Sequence, residues 1–423
     1  MKKISYFLML FALMFSLGLQ AKQTLVKNAT ELKSVFPAAQ DGDTILMAPG
    51  AYNVSNSLYF PATGIVTLMS KYTNIPDSIA TLQMNMQGST IATGVKAGLI
   101  FEYLKLQHNN PTATSGHIIY INKKFGNIAK LVFRHCDISN GVRGLFRSVK
   151  PDNIVNAPGD TTKFSSCGDL EYLEMTNCLV HNTFVTSGNA WPLLYLGHLP
   201  LEVNISNNTF YDLAYMNNIF TMSYADPNSG RNAKINFKNN TVCTSVSNNY
   251  IATSNFLGEE TEFNIENNVF LMPNWTNTLN VANGVLPAIV SCKGGLITAK
   301  NNLVEGPKAW IKGQTVVDGM GGFVVIDTIN TYKMTDLEQA WTDFADPVSG
   351  DYSFLSSKKL ATYGVGGTPI GDTRWLKSFT TPRTLTVTFT PETITPTITP
   401  KRGFYENGTA VKVSASVVDG YTF

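Results

Sequence analysis

Four cations, Arg134, Arg143, Arg147 and Lys150, fall close together, and a long loop-like stretch, 151–169, follows them. Guanidinium and ammonium groups at that density suit an anionic partner. Arg holds a carboxylate through two parallel hydrogen bonds, whereas Lys adds a point charge. A long connection is a common place for a binding loop. An ordinary solvated loop would have the same composition, so the cluster needs a scaffold before it means anything. The remaining chemistry is sparser. His135, His181 and His198 supply imidazoles, but their spacing defines no catalytic pair. Tyr195 and Tyr224 could stack on sugars or simply pack. Zinc spacing, a Gly-rich phosphate loop and a serine elbow are all missing.

The scaffold is a repeat. Segments 131–138, 173–180, 203–210, 235–242, 263–270 and 297–304 align without gaps. One shared position holds His135, Asn177, Asn207, Asn239, Asn267 and Asn301, and the next holds Cys136, Cys178, Asn208, Asn240, Asn268 and Asn302. The steps are 42, 30, 32, 28 and 34 residues. A second strand-like segment follows in each repeat, as at 144–149 and 193–198. Such a period marks a solenoid or a propeller, but propeller blades have four strands and a steadier length. The expected fold is all-β, a right-handed parallel β-helix. Alternation along 203–207 places Val203, Ile205 and Asn207 on one face. The row Asn177, Asn207, Asn239, Asn267 and Asn301 is therefore expected to be the inward ladder, each amide bonding its neighbours at a coil spacing of about 4.8 Å.

Two outward rows can then be read across the coils. One is Arg134, Thr176, Ser206, Lys238, Glu266 and Lys300; the other is Lys130, Tyr172, Glu202, Lys234 and Glu262. Signs alternate between coils, which predicts ion pairing on a solvated face. Cys136 and Cys178 share one position in successive coils, within reach of a disulfide, although two small residues packed side by side fit as well. The chain has five cysteines, an odd number, and Cys167, Cys243 and Cys292 have no evident mate.

Composition bounds the function. The 423 residues carry 32 basic and 30 acidic side chains, a net charge of +2 that argues against a nucleic-acid partner. Only 15% are charged and 43% are hydrophobic, so the chain is not a disordered tail. Its 39 asparagines favour turns and left-handed backbone. Lys2-Lys3, an apolar run over 4–19 and the small-residue ending at Ala21 read as a signal peptide over 1–21. That predicts a secreted protein, periplasmic or at the cell surface, with no membrane span in the mature chain.

Both ends of a solenoid need covers. Asn28 with Glu31 forms a capping box ahead of Leu32, Val35, Phe36 and Ala39, and Thr335 with Glu338 forms another ahead of Leu337, Ala340, Trp341 and Phe344. Short capping helices are expected at both places. The β-helix is expected to span 24–375, a Thr/Pro-rich linker 376–400 and a small β module 401–423. Strand 410–417 has no second hairpin to pair with, so the chain reads as part of a longer product.

Gly42-Asp43-Thr44-Ile45 and Pro49-Gly50-Ala51-Tyr52, after an amphipathic helix, resemble the opening of secreted parallel β-helix proteins of the pectate lyase superfold. The similarity is strongest to the branch containing chondroitinase B and alginate lyases. Segment 344–375 resembles the last coils of related domains, and the C-terminal segment resembles the start of an internalin-type B repeat. The resemblance implies an acidic, uronic-acid polysaccharide as partner of a monomer. It also implies a polysaccharide lyase, in which a base takes the C5 proton and a cation neutralises the carboxylate. Calcium is an option for that cation, yet no carboxylate cluster supports it. Glu202, Glu262 and Glu266 make a poor site, and no other cofactor is identified. The catalytic residues are unknown. A non-catalytic glycan-binding or spacer module is the alternative. On either account Arg134, Arg143, Arg147 and Lys150 are the expected substrate contacts.

Overall fold

The computed structural model describes residues 21–55, 58, 64–87, 97–110, 116–121, 128–141, 143–148, 170–182, 192–196, 200–213, 218–222, 232–243, 251–256, 260–271, 290–293, 296–304, 325–327, 332–333, 343–347, 350–378, 383–386, 398–399 and 402–415. Among these, three parallel sheets of 11, 10 and 7 strands wind into a β-helix. In one coil the strands are Glu202–Ser206, Thr209–Tyr211 and Phe220–Met222, contributing to the first, second and third sheets in turn. Such a coil has three strands, not two, among the described residues. The aligned eight-residue segment is itself two strands with a corner between them.

That corner moves the ladder. His135, Asn177, Asn207, Asn239, Asn267 and Asn301 all have φ between 50° and 57°. Alternation predicts facing only while the backbone stays extended; a left-handed residue turns the chain, and the residue after it points inward. Asn tolerates this conformation better than most side chains. The buried ladder is therefore Asn208, Asn240, Asn268 and Asn302, each 0% exposed, one position beyond the expected row. Its amides are fully used. Asn240 donates to the Ile205 carbonyl and to Asn268 Oδ1, both at 3.0 Å. Its own Oδ1 accepts from the backbone N–H and the side chain of Asn208. Inside the helix, Val203, Ile205, Phe210 and Phe220 and their counterparts form one continuous apolar core.

The corner asparagines bind something else. Residues 363–374 run back along the corner as a strap, crossing the coils from Asn301 to Asn177. Asn301 donates to the Tyr363 carbonyl at 2.6 Å, and Asn267 Oδ1 accepts from Val365 N–H at 3.0 Å. Asn239 donates to the Pro369 carbonyl, and Asn207 Oδ1 accepts from Thr373 N–H. Arg374 reaches the carbonyls of Asn177 and Cys178 at 2.5 and 3.0 Å. Fully buried Asp372 holds Arg374 in place and accepts from Thr209 Oγ1 at 2.7 Å. The stretch 344–377 is accordingly not a last coil. It forms a separate three-stranded sheet. Phe344, Tyr352, Phe354 and Ile370 pack on Cys243, Val269, Leu271 and Leu303 of the second sheet as a second core.

The first capping helix is present at Ala29–Val35, with Asn28 accepting from Glu31 N–H and Glu31 returning to Lys27 N–H. Its expected counterpart after Thr335 lies almost wholly outside the described residues. The Thr/Pro-rich region is not a plain linker. Arg383–Thr386 pairs with Arg402–Tyr405, and Ile398–Thr399 pairs with Ser414–Ala415, both antiparallel. The strand expected to be partnerless thus has a partner. Among the described residues, no helix is long and apolar enough to cross a membrane.

The two asparagine rows should respond differently to mutation. Asn240→Leu orphans buried donors and acceptors in both adjacent coils and is expected to cost about 3 kcal/mol. Asn239→Gly keeps the corner conformation and loses one part-buried hydrogen bond, about 1 kcal/mol. Urea unfolding midpoints of the two variants check the order.

Candidate functional site

The outer face of the third sheet carries the most organised cationic group. Strands Ile119–Ile121, Phe146–Ser148 and Leu194–Leu196 stack in register, which sets Tyr120, Arg147 and Tyr195 in one column. Ile119, Phe146 and Leu194 fill the core beneath. Alternation forces their neighbours outward, so the three polar side chains project together. The Arg147 guanidinium lies between two rings, 4.9 Å from the centre of Tyr120 and 5.6 Å from that of Tyr195. Planar guanidinium is well suited to stacking on aromatic faces. All three residues are half-buried, and the head group is held between the rings.

Arg143 belongs to the turn leading into the same strand, its N–H donating to the Gly116 carbonyl at 2.9 Å. Gly144 follows with φ 150°, where a Cβ would lie 2.7 Å from the Pro192 carbonyl; only glycine lets the turns stack this closely. Beneath the column sits His117, buried, its ring 5.8 Å from Tyr120. Burial lowers its pKa to about 3, assisted by the charges of Arg147, Arg143 and His108. The imidazole is neutral at pH 7, and the arginines are the local charge.

Arg134 belongs elsewhere. It shares a coil with Arg143 and Arg147 but ends a strand of the first sheet. There it makes a two-point ion pair with Glu174, at 2.5 and 2.9 Å. Burial alone would raise the Glu174 pKa, but hydrogen bonds from Arg134, Tyr172 and Thr176 and the charge of Arg134 bring it below the usual carboxylate value. Arg134 is therefore spent on an internal partner. Lys150 and the insertion 151–169 lie outside the described residues, as do His198 and Tyr224.

Other groups on the first sheet's outer face pair with one another. Lys238 pairs with Glu266 at 3.0 Å, and Lys234 stands in register between Glu202 and Glu262. Between these rows runs a second amide ladder, with Asn264 donating to Asn236 and Asn236 to Asn204. His135 is not in the core column. It stacks on Tyr103 at 4.4 Å on the corner. His181 bonds Asp137 at 2.8 Å and Asn182 at 3.1 Å, with its ring 4.9 Å from Tyr211. Both imidazole nitrogens are engaged. Among the described residues, no group of three or more His, Cys, Asp or Glu could hold a metal ion.

The sequence singles out Arg147 and Tyr195 as candidates, and the structure adds Tyr120 to their column. The signal was the segment 119–121, whose two isoleucines alternate with its tyrosine as Phe146 and Leu194 do with their neighbours. No protein-family profile matches the chain, and no curated protein matches it.

Acid should expose the role of His117. In the unfolded chain it takes up a proton near pH 6.5, but in the folded protein only near 3. Between those values the unfolded state binds more protons, so stability falls as pH falls, by up to about 1.4 kcal/mol per pH unit. His117→Asn should flatten the slope of unfolding free energy over this window, as followed by urea titration at successive pH values.

Proposed function

We propose that this protein binds an acidic, uronic-acid polysaccharide on the outer face of the third sheet, with Arg147 as the carboxylate anchor. One observation carries this reading, the guanidinium held between Tyr120 and Tyr195. An arginine already fixed by stacking loses little freedom when it binds, and its fork suits a planar carboxylate. Arg143 adds a second positive charge near His117. The N-terminal signal-like segment, the charge balance and the resemblance to polysaccharide-degrading β-helix proteins support the same partner and an exported protein. Arg147 supplies the charge-neutralising half of what β-elimination requires. The reading stops at binding.

The test is a binding isotherm on polygalacturonate, with absorbance of unsaturated product followed in parallel. Arg147→Ala should weaken binding by about 10- to 100-fold, the worth of a charged hydrogen-bonded contact. Arg147→Lys should not restore it, and Arg134→Ala should leave it unchanged. Affinity should fall as salt rises, since exposed charges are screened beyond about 8–10 Å. Equal affinity of wild type and Arg147→Ala would refute the assignment.

A further inference from the structure

The buried ladder changes chemistry at one end. From Asn208 onward it is amide; the two coils before it carry the thiols of Cys136 and Cys178, both buried and unbridged. Each thiol does half of an amide's work. Cys136 donates to the Phe101 carbonyl at 3.4 Å and Cys178 to the Phe133 carbonyl at 3.5 Å. These bonds are the counterparts of the one from Asn240 to Ile205. The sideways link is weaker between thiols. Amides of adjacent coils join at 2.9–3.0 Å, whereas sulfur is a weak acceptor.

The two thiols interact with each other. Burial first, then the hydrogen bond and charge interaction of Cys136 with Cys178, push the Cys136 thiol well above its usual range. Leu179 N–H donates to the Cys136 carbonyl at 2.9 Å, so the coils stack directly at this point. Neighbouring parallel strands bring Cα atoms to about 4.8 Å, inside the window of roughly 4.4–6.8 Å that a disulfide needs. Cys243 is no rival. It packs with Tyr352 in the second core, away from the ladder.

We propose that Cys136 and Cys178 form a disulfide across these two coils when the chain folds under oxidising conditions. The bond would replace the amide–amide contact that joins Asn208, Asn240, Asn268 and Asn302. Two thiols become one disulfide, releasing two protons and two electrons. The electrons pass to an external disulfide, such as oxidised glutathione, which leaves as two thiols. One cysteine thiolate attacks that disulfide to give a mixed disulfide, and the second displaces the carrier thiol. Burial sets the timing: thiols enclosed in apolar surroundings ionise poorly and are inert, so exchange precedes docking of the coil. The bond joins residues 42 apart, a loop long enough for the constraint on the unfolded chain to be large.

The experiment refolds the full chain in glutathione buffers from reducing to oxidising, blocks remaining thiols by alkylation and maps the peptides by mass. At the oxidising end, the Cys136 and Cys178 peptides should appear as one cross-linked species, lighter by two hydrogens and unalkylated. The refolded oxidised protein should unfold at higher urea than the reduced protein, a difference that Cys136→Ala abolishes. Full alkylation of both residues at every potential would overturn the proposal. So would a cross-link from either to Cys167, Cys243 or Cys292. The refolding arm needs no assumption about where the protein resides or which glycan it binds.

Discussion

Everything in this molecule is referred to the buried amide column. A parallel β-helix places each coil on the next through backbone hydrogen bonds, which alone would tolerate slippage along the strand. The column does not. Asn208, Asn240, Asn268 and Asn302 each bond a carbonyl on one side and an amide on the other. A coil shifted by one residue would bury these groups unpaired, at about 1–3 kcal/mol each. Register fixed at the first corner is passed to the second and third sheets, because their strands follow from the same turn. Alignment of Tyr120, Arg147 and Tyr195 is a downstream result.

The corner row shows how one residue type serves two purposes. Asparagine is used there first for its tolerance of left-handed backbone, and second for an amide that faces outward. The strap reads those outward amides, and Arg374 with buried Asp372 fastens its end near Asn177. Where the strap stops, the row changes to His135 and Tyr103, which stack on each other instead. The column inside and the strap outside thus grip the same corner from opposite sides.

The period, the strand alternation and the Asn28–Glu31 cap were legible because each is a local pattern that packing does not override. The inward row was misread by one position, since parity fails at a left-handed residue that no side-chain pattern reveals except in retrospect by the paired asparagines. Val269, Leu271 and Leu303 look like further core residues, so nothing in their pattern announces that a later segment covers them. Arg134 and Arg147 look alike in the chain, yet one faces Glu174 on the first sheet and the other two tyrosines on the third. Proximity in sequence does not survive three changes of direction per coil.

The central claim is that coil register builds a rigid guanidinium site on the third sheet. A crystal structure of the protein with a bound oligogalacturonate tests it most directly. The account predicts a sugar carboxylate on the guanidinium of Arg147, with Tyr120 and Tyr195 unchanged on either side of it. A ligand seated instead on the first sheet, or Arg147 swung away from both rings, would contradict it.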